Sequence, residues 1–129
     1  MIVAAYVYWP AIYLAVYVPF VVPRLPTWNH VPTPFFLAIV GVYIVVLLLA
    51  GRSLGHGWIA LHAIGIALSA DAFALVVSWL RAPGFRKAFQ VGLDPWDVLA
   101  TAAHAIIVVI FLEGGRALGR LAGARRRAA

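Results

Sequence analysis

Long apolar runs separated by short polar segments dominate the chain and determine its predicted fold. A helix needs about 20 consecutive apolar residues to cross the hydrocarbon core of a bilayer. The runs predict membrane spans at residues 2–22, 34–50, 58–80 and 96–117. The sequence therefore predicts an all-α polytopic membrane protein, with four transmembrane helices in an up-down bundle that forms a single domain over residues 1–129.

Prolines and glycines mark the ends of the first three predicted spans. The first run follows Met1 directly, without the basic segment that begins a cleavable signal peptide, so we interpret it as a retained helix. Residues 23–34 contain four prolines, which disfavour regular helix because proline lacks the backbone N–H. Gly51 is predicted to end the second span, and the Ala-Pro-Gly segment at residues 82–84 the third.

The fourth span has a clear beginning and a short apolar core. Asp94 can cap the helix, Pro95 suits its first position, and Asp97 places a negative charge in the first turn. The charge-free segment Val98–Leu112 has only 15 residues. This helix therefore crosses a bilayer only if it continues past Glu113.

Composition indicates that lipid surrounds most of the chain. Hydrophobic residues make up 65% of it and charged residues 11%, whereas about 25% of a soluble domain is charged. A chain of 129 residues could not bury that much apolar surface from water. There are no cysteines, which excludes disulfides, thiolate metal sites and cysteine nucleophiles.

The net charge of +6 comes from basic residues that flank the apolar runs. This position favours orientation signals and contacts with anionic lipid over nucleic-acid binding. With both termini on one side, that side holds six arginines: Arg52, Arg116, Arg120, Arg125, Arg126 and Arg127. The opposite side holds four basic residues: Arg24, Arg81, Arg86 and Lys87. The difference predicts a multi-pass cell-membrane protein with both termini in the cytoplasm.

Three ionisable residues lie at membrane depth, where charge is costly and functional roles are common: His62, Asp71 and His104, with Glu113 near the cytoplasmic end of the fourth span. At about 1.5 Å of rise per residue, Asp71 of the third span and His104 of the fourth lie at similar depths. They are predicted to form an intramembrane polar pair. His62 lies nearer the depth of Glu113, which suggests a second pair. Since His62 and Asp71 are nine residues apart, they face opposite sides of their helix and the two pairs cannot share one interface.

Asp71 has two candidate roles. It lies beside a stripe of small residues suited to close helix packing: Ala60, Ala63, Ala67, Ala70, Ala74 and Ser78. This position favours a structural carboxyl that is packed inside the bundle and hydrogen-bonded to His104. The alternative is a proton or ion pathway through Asp71, the default hypothesis for an intramembrane carboxylate.

Histidines in the third and fourth spans also suggest a b-type haem, which paired imidazoles can ligate. His62 and His104 are the candidate ligands, but their predicted depths differ by roughly 10–15 Å. A haem on His62 would then take its second ligand from another subunit. The alternative is that both are structural histidines without a cofactor.

Tyrosines in the first span form a narrow stripe, with Tyr6, Tyr13 and Tyr17 as its members. A buried tyrosine hydroxyl needs a hydrogen-bond partner, so the stripe is predicted to contact a partner subunit, a lipid head group or a quinone, or to pack against the second helix. Gly115, Gly119 and Gly123 repeat the GxxxG spacing that favours helix dimerisation in lipid.

No phosphate-binding loop, nucleophile–base set or carboxylate pair stands outside the predicted spans, so the chain is predicted to have no catalytic activity of its own. The leading hypothesis is a small accessory or anchoring subunit of a larger membrane complex, with respiratory or other electron transfer as its setting. One alternative is a small homo-oligomeric ion or proton transporter or channel that uses Asp71. The other is a haem b-binding cytochrome subunit.

Overall fold

The computed structural model describes residues 1–17, 33–81 and 95–128, and every element in these ranges is an α-helix. The helices are α1 (Ile2–Tyr17), α2 (Thr33–Gly51), α3 (His56–Arg81) and α4 (Pro95–Ala128). The all-α prediction is confirmed. The end of the first predicted span, the connector that follows it and the loop after the third span lie outside the described residues.

Three of these helices are long and apolar enough to cross a membrane. The qualifying segments are Pro34–Gly51, His56–Ala74 and Pro95–Arg127. The apolar segment of α1 within the described residues, Ile2–Ile12, is shorter. The second and third predicted spans therefore coincide with α2 and α3 to within a few residues.

Helix α4 continues past Glu113 and ends at Ala128, 11 residues beyond the predicted end of the fourth span. Its 34 residues correspond to about 50 Å of helix. The continuation agrees with the sequence, because alanine, leucine and arginine after Glu113 all favour helix. Asp97 lies in the first turn as predicted, while Asp94 is outside the described residues.

The helices pack in an up-down order. Both α1 and α4 pack against α2 and α3. Tyr43 of α2 contacts His104 of α4 and, further along both helices, Leu48 contacts Gly115, so these two helices run in the same direction. The start of α3 runs beside the later part of α4, where His56 contacts Glu113, so α3 is antiparallel to α4.

The buried core consists of alanines and branched aliphatic side chains in similar numbers, together with Tyr43. The five largest fully buried side chains are Leu47, Ile59, Ile66, Val108 and Leu112. The predicted small-residue stripe of α3 is confirmed at Ala63, Ala67 and Ala70, which are buried. Ala60, at the start of the stripe, is exposed, and the side chain of Ser78 is outside the described set.

Glycines set the closest approach, between α2 and α4. A Cβ atom at Gly51 would overlap the backbone of Leu112, and one at Gly115 would overlap the backbone of Leu48. Two helix backbones are therefore in direct contact at one end of the bundle. GxxxG spacing favours helix dimerisation in lipid and also arises from Gly/Ala-rich composition; here Gly115 packs against Leu48 within the chain.

Candidate functional site

Asp71 of α3 is held by Thr101 of α4. The Thr101 hydroxyl donates a hydrogen bond to Oδ2 of Asp71. The same hydroxyl lies 2.8 Å from the backbone carbonyl oxygen of Asp97, one turn earlier in α4. Asp71 lies ten residues before the end of α3 at Arg81, about 15 Å from that end at the rise of an α-helix.

His104, one turn beyond Thr101 in α4, is held by Tyr43 of α2. Its Nε2 atom lies 2.8 Å from the Tyr43 hydroxyl. Tyr43 is only 4% exposed, and its ring stacks on Tyr8 of α1 at a centroid distance of 5.0 Å. The Tyr8 hydroxyl donates to the carbonyl of Ile39, one turn before Tyr43, at 2.5 Å. An aromatic cluster from α1 and α2 therefore fixes the position of the His104 ring.

Two cavities meet at Asp71. The smaller cavity has a volume of about 200 Å³ and is open to the surroundings, and its described lining residues are Trp9, Ala70, Asp71 and His104. The indole N–H of Trp9 is buried without a hydrogen-bond acceptor of normal geometry in the described part of the chain.

The larger cavity is a groove of about 500 Å³ between α3 and α4. Thr101 and Asp71 are its polar members, and the other lining residues are apolar. The lining residues Ile64, Leu68 and Val98 are each more than half exposed, so the groove is open to the surroundings. Asp71 thus borders two open cavities that share no other described lining residue.

The two residues of the predicted polar pair, Asp71 and His104, lie at the smaller cavity. Asp71 and His104 both line it, but their hydrogen bonds go to Thr101 and Tyr43, respectively. A side chain or water molecule that entered the cavity would face both groups. Whether the two act together stays a prediction.

The suggested pairing of His62 with Glu113 differs from the observed contacts. His62 Nδ1 lies 3.0 Å from the Tyr6 hydroxyl of α1. Glu113 accepts hydrogen bonds from Arg116 at 2.8 Å and contacts His56 Nδ1 at 2.5 Å. Helix rise predicted similar membrane depths for His62 and Glu113, but it could not predict that His62 contacts α1.

The two candidate haem ligands belong to separate clusters. The His62 ring lies edge-on to Tyr6, with centroids 5.9 Å apart, and 6.4 Å from the ring of Trp58. The His104 ring lies 5.8 Å from the ring of Tyr43. No group of three or more metal-ligating side chains occurs within residues 1–17, 33–81 and 95–128. Haem ligation by these histidines stays a prediction.

Tyr6 is the member of the tyrosine stripe whose side chain is described, and it contacts α3. Tyr6 covers Gly65 of α3, where a Cβ atom would come within 2.5 Å of the tyrosine oxygen. These contacts of Tyr6 are with α3, whereas the alternative predicted packing against the second helix. The side chains of Tyr13 and Tyr17 lie outside the described set, so their predicted contacts with a partner or lipid are not tested.

Sequence reasoning did not single out Thr101 or Tyr43. Thr101 lies three residues before His104, which puts the two side chains on one face of α4. Tyr43 is the only residue with a polar side chain in α2 after Thr33. Both side chains carry a hydroxyl group that can hydrogen-bond to an ionisable residue. Which residue each one contacts depends on the packing and rotation of the helices, and spacing along the sequence does not give these.

The chain matches no known protein family, and neither the curated proteins nor the solved structures contain a match to it.

Proposed function

We propose that this chain is a small homo-oligomeric proton or cation transporter or channel, a multi-pass protein of the cell membrane in which Asp71 is the coupling residue. The observation that carries the proposal is the position of Asp71 between two separate cavities. An ionisable group that borders two spaces can exchange a proton with either one. Intramembrane carboxylates commonly serve proton and ion pathways.

Thr101 gives both protonation states of Asp71 a complete hydrogen-bond arrangement. A hydroxyl has one proton to donate and can also accept. When Asp71 is ionised, Thr101 donates to it. When Asp71 is protonated, its O–H can donate to Thr101, and the Thr101 proton can turn to the carbonyl of Asp97, which lies 2.8 Å away. Rotation of the Thr101 hydroxyl therefore leaves no unpaired donor at this contact in either protonation state.

The surface of the helices supports a lipid environment. Large apolar side chains are more than half exposed along α3 and α4: Trp58, Leu61, Ile64, Leu68, Val76, Trp96, Val98, Leu99, Ile106 and Ile110. In water such a surface would favour aggregation. Within a bilayer it is the expected lipid contact, and the excess of arginine near the end of α4 supports cytoplasmic termini.

The test is proton and cation flux in proteoliposomes. Wild-type protein is expected to dissipate an imposed pH or cation gradient, and Asp71→Asn is expected to abolish that flux because an amide cannot release a proton. Asp97→Asn is the matched control, since it removes the same charge from the exposed start of α4 and keeps the backbone carbonyl near Thr101. Equal flux in wild type and Asp71→Asn would overturn the proposal.

A second candidate is an accessory or anchoring subunit of a larger membrane complex, for which electron transfer is the proposed setting. The groove between α3 and α4 supports it: alanines line it at positions 67, 72, 102 and 105 around Asp71 and Thr101. Small residues allow close helix approach and polar groups can bond across the interface. A transmembrane helix of a larger subunit would fit this surface.

Purification from native membranes in mild detergent distinguishes the two candidates. The accessory role predicts larger membrane subunits in a stable complex, and loss of that complex when Ala102→Leu fills the groove. A clean monomer or small homo-oligomer would contradict it. An absorption spectrum of the same sample tests haem b, because freshly purified protein without a Soret band carries no haem.

A further inference from the structure

A basic groove lies at the end of the bundle where α2 finishes and α4 extends. It has a volume of about 460 Å³, within the range of roughly 300–1,000 Å³ typical of ligand pockets. Arg52 lines it from the turn after α2, and Arg116, Arg120 and Arg127 line it from α4. The site is distinct from the cavities around Asp71.

Helix periodicity and glycine packing bring these arginines together. Positions 116, 120 and 127 follow the spacing of one helix face. Gly119 lies on that face, and a Cβ atom there would be 3.4 Å from the backbone oxygen of Arg52. The turn after α2 therefore rests directly against α4, which places Arg52 opposite the three arginines of that helix.

The positive charge of the groove is only partly compensated. Glu113 forms an ion pair with Arg116 at 2.6 Å. Arg52, Arg120 and Arg127 have no carboxylate partner among the described residues. The four guanidinium groups therefore have one carboxylate partner among the described residues. Three positive charges at the groove have no counter-charge there.

We propose that this groove binds a phosphate group, as the head group of an anionic phospholipid or as free phosphate. Arginine presents a planar set of donors that matches phosphate oxygens and forms paired hydrogen bonds with them. Groups from two separate chain segments converge on one space of suitable size. A site at the end of apolar helices lies at the level of lipid head groups.

The arrangement separates two kinds of arginine in the tail. Arg120 and Arg127 line the groove. Arg125 and Arg126 belong to the same helix and are exposed, but they do not line it. A diffuse electrostatic attraction to lipid would use all four equally, whereas a built phosphate site uses only those that face it.

The experiment measures lipid and phosphate binding to the purified full-length protein in neutral detergent. Native mass spectrometry counts bound phosphatidylglycerol and phosphatidylcholine, and equilibrium dialysis measures inorganic phosphate. The test variant is Arg52→Gln/Arg120→Gln and the matched control is Arg125→Gln/Arg126→Gln, which removes the same charge. A second test is Gly123→Phe, because a Cβ at Gly123 meets nothing within 4 Å and the ring would fill the groove without removing charge.

The proposal expects one phosphatidylglycerol per chain and weak binding of phosphatidylcholine. Affinity is expected to fall about 30-fold in Arg52→Gln/Arg120→Gln, given the usual contribution of two basic residues to anionic-lipid binding, and in Gly123→Phe as well. The Arg125→Gln/Arg126→Gln control is expected to lose less than about 3-fold, since its side chains do not line the groove.

Saturable phosphate binding with the same variant pattern, without preference for lipid, would support the site and identify free phosphate as its ligand. Equal losses in the two arginine pairs would overturn the proposal, because they indicate diffuse charge. Absence of binding to all three probes would also overturn it. If Arg52→Gln/Arg120→Gln fails to fold, as judged by circular dichroism, Gly123→Phe decides.

Discussion

Two contacts between α4 and its neighbours illustrate opposite uses of the same helix. At Gly51 and Gly115, α4 meets α2 with backbone against backbone, and no side chain separates them. At Asp71 and His104, polar side chains and a cavity of about 200 Å³ separate α4 from the other helices. The first region is organised for close packing, whereas the second keeps space and ionisable groups at the cost of packing density.

The largest expected effect is at the glycine contact. Gly115→Ala should destabilise the bundle by about 3 kcal/mol or more, because the added methyl overlaps the backbone of Leu48 and neither helix can move without disturbing the rest. Gly41→Ala in α2 is the control, since nothing lies within 4 Å of its Cβ position. The measurement is the free energy of unfolding in mixed micelles, followed by circular dichroism. Equal stabilities for the two variants would show that the contact is not close.

The hydrogen bond to Asp71 should matter less for stability and more for flux. Thr101→Val removes the hydroxyl and should cost about 1–2 kcal/mol, in the range for a hydrogen bond to a charged group reduced by the membrane reference state. Thr101→Ser keeps the donor and should restore both stability and flux. Proteoliposome flux and unfolding are measured on the same preparations, and unchanged flux in Thr101→Val would remove the hydroxyl from the mechanism.

A smaller difference is expected between two tyrosine–histidine contacts. Tyr43→Phe leaves His104 without its partner in a buried cluster and should cost about 1 kcal/mol. Tyr6→Phe removes the analogous bond to His62, but Tyr6 is less buried than Tyr43 and water or lipid head groups can replace it. The expected cost is therefore about half as large. A larger cost for Tyr6→Phe would reverse the assigned order of the two clusters.

An effect similar in size to that of Tyr6→Phe is expected at Gly65. A methyl group there meets the end of the Tyr6 side chain, which can rotate away, so Gly65→Ala should cost less than about 1 kcal/mol. The displaced tyrosine should leave His62, which the imidazole NMR signals of isotope-labelled protein would report. A loss as large as that of Gly115→Ala would show that Tyr6 is held rigidly.

The sequence predicted the positions of the helices well and the contacts between them less well. Apolar runs of sufficient length predicted α2 and α3, and the segment Asp94–Asp97 predicted the start of α4, because length and capping are local properties. Helix rise placed Asp71 and His104 at one depth, and both line one cavity.

Helix rotation and pairing were not accessible from one-dimensional spacing. The partner of His62 is Tyr6 of α1, which depends on how α1 packs against α3. The role of Gly115 against Leu48 likewise depends on the approach of α2 and α4. Both are tertiary properties of several helices, so residue depth alone could not predict them.

The central claim is that Asp71 takes up and releases a proton within the bundle. Infrared difference spectroscopy of reconstituted protein, recorded over a pH titration, tests it most directly through the C=O stretch of a protonated carboxyl group. We expect a band that appears as the pH falls, is absent in Asp71→Asn, persists in Asp97→Asn and shifts in Thr101→Val. A wild-type spectrum in which no such band depends on Asp71 at any pH where the fold is stable would contradict it.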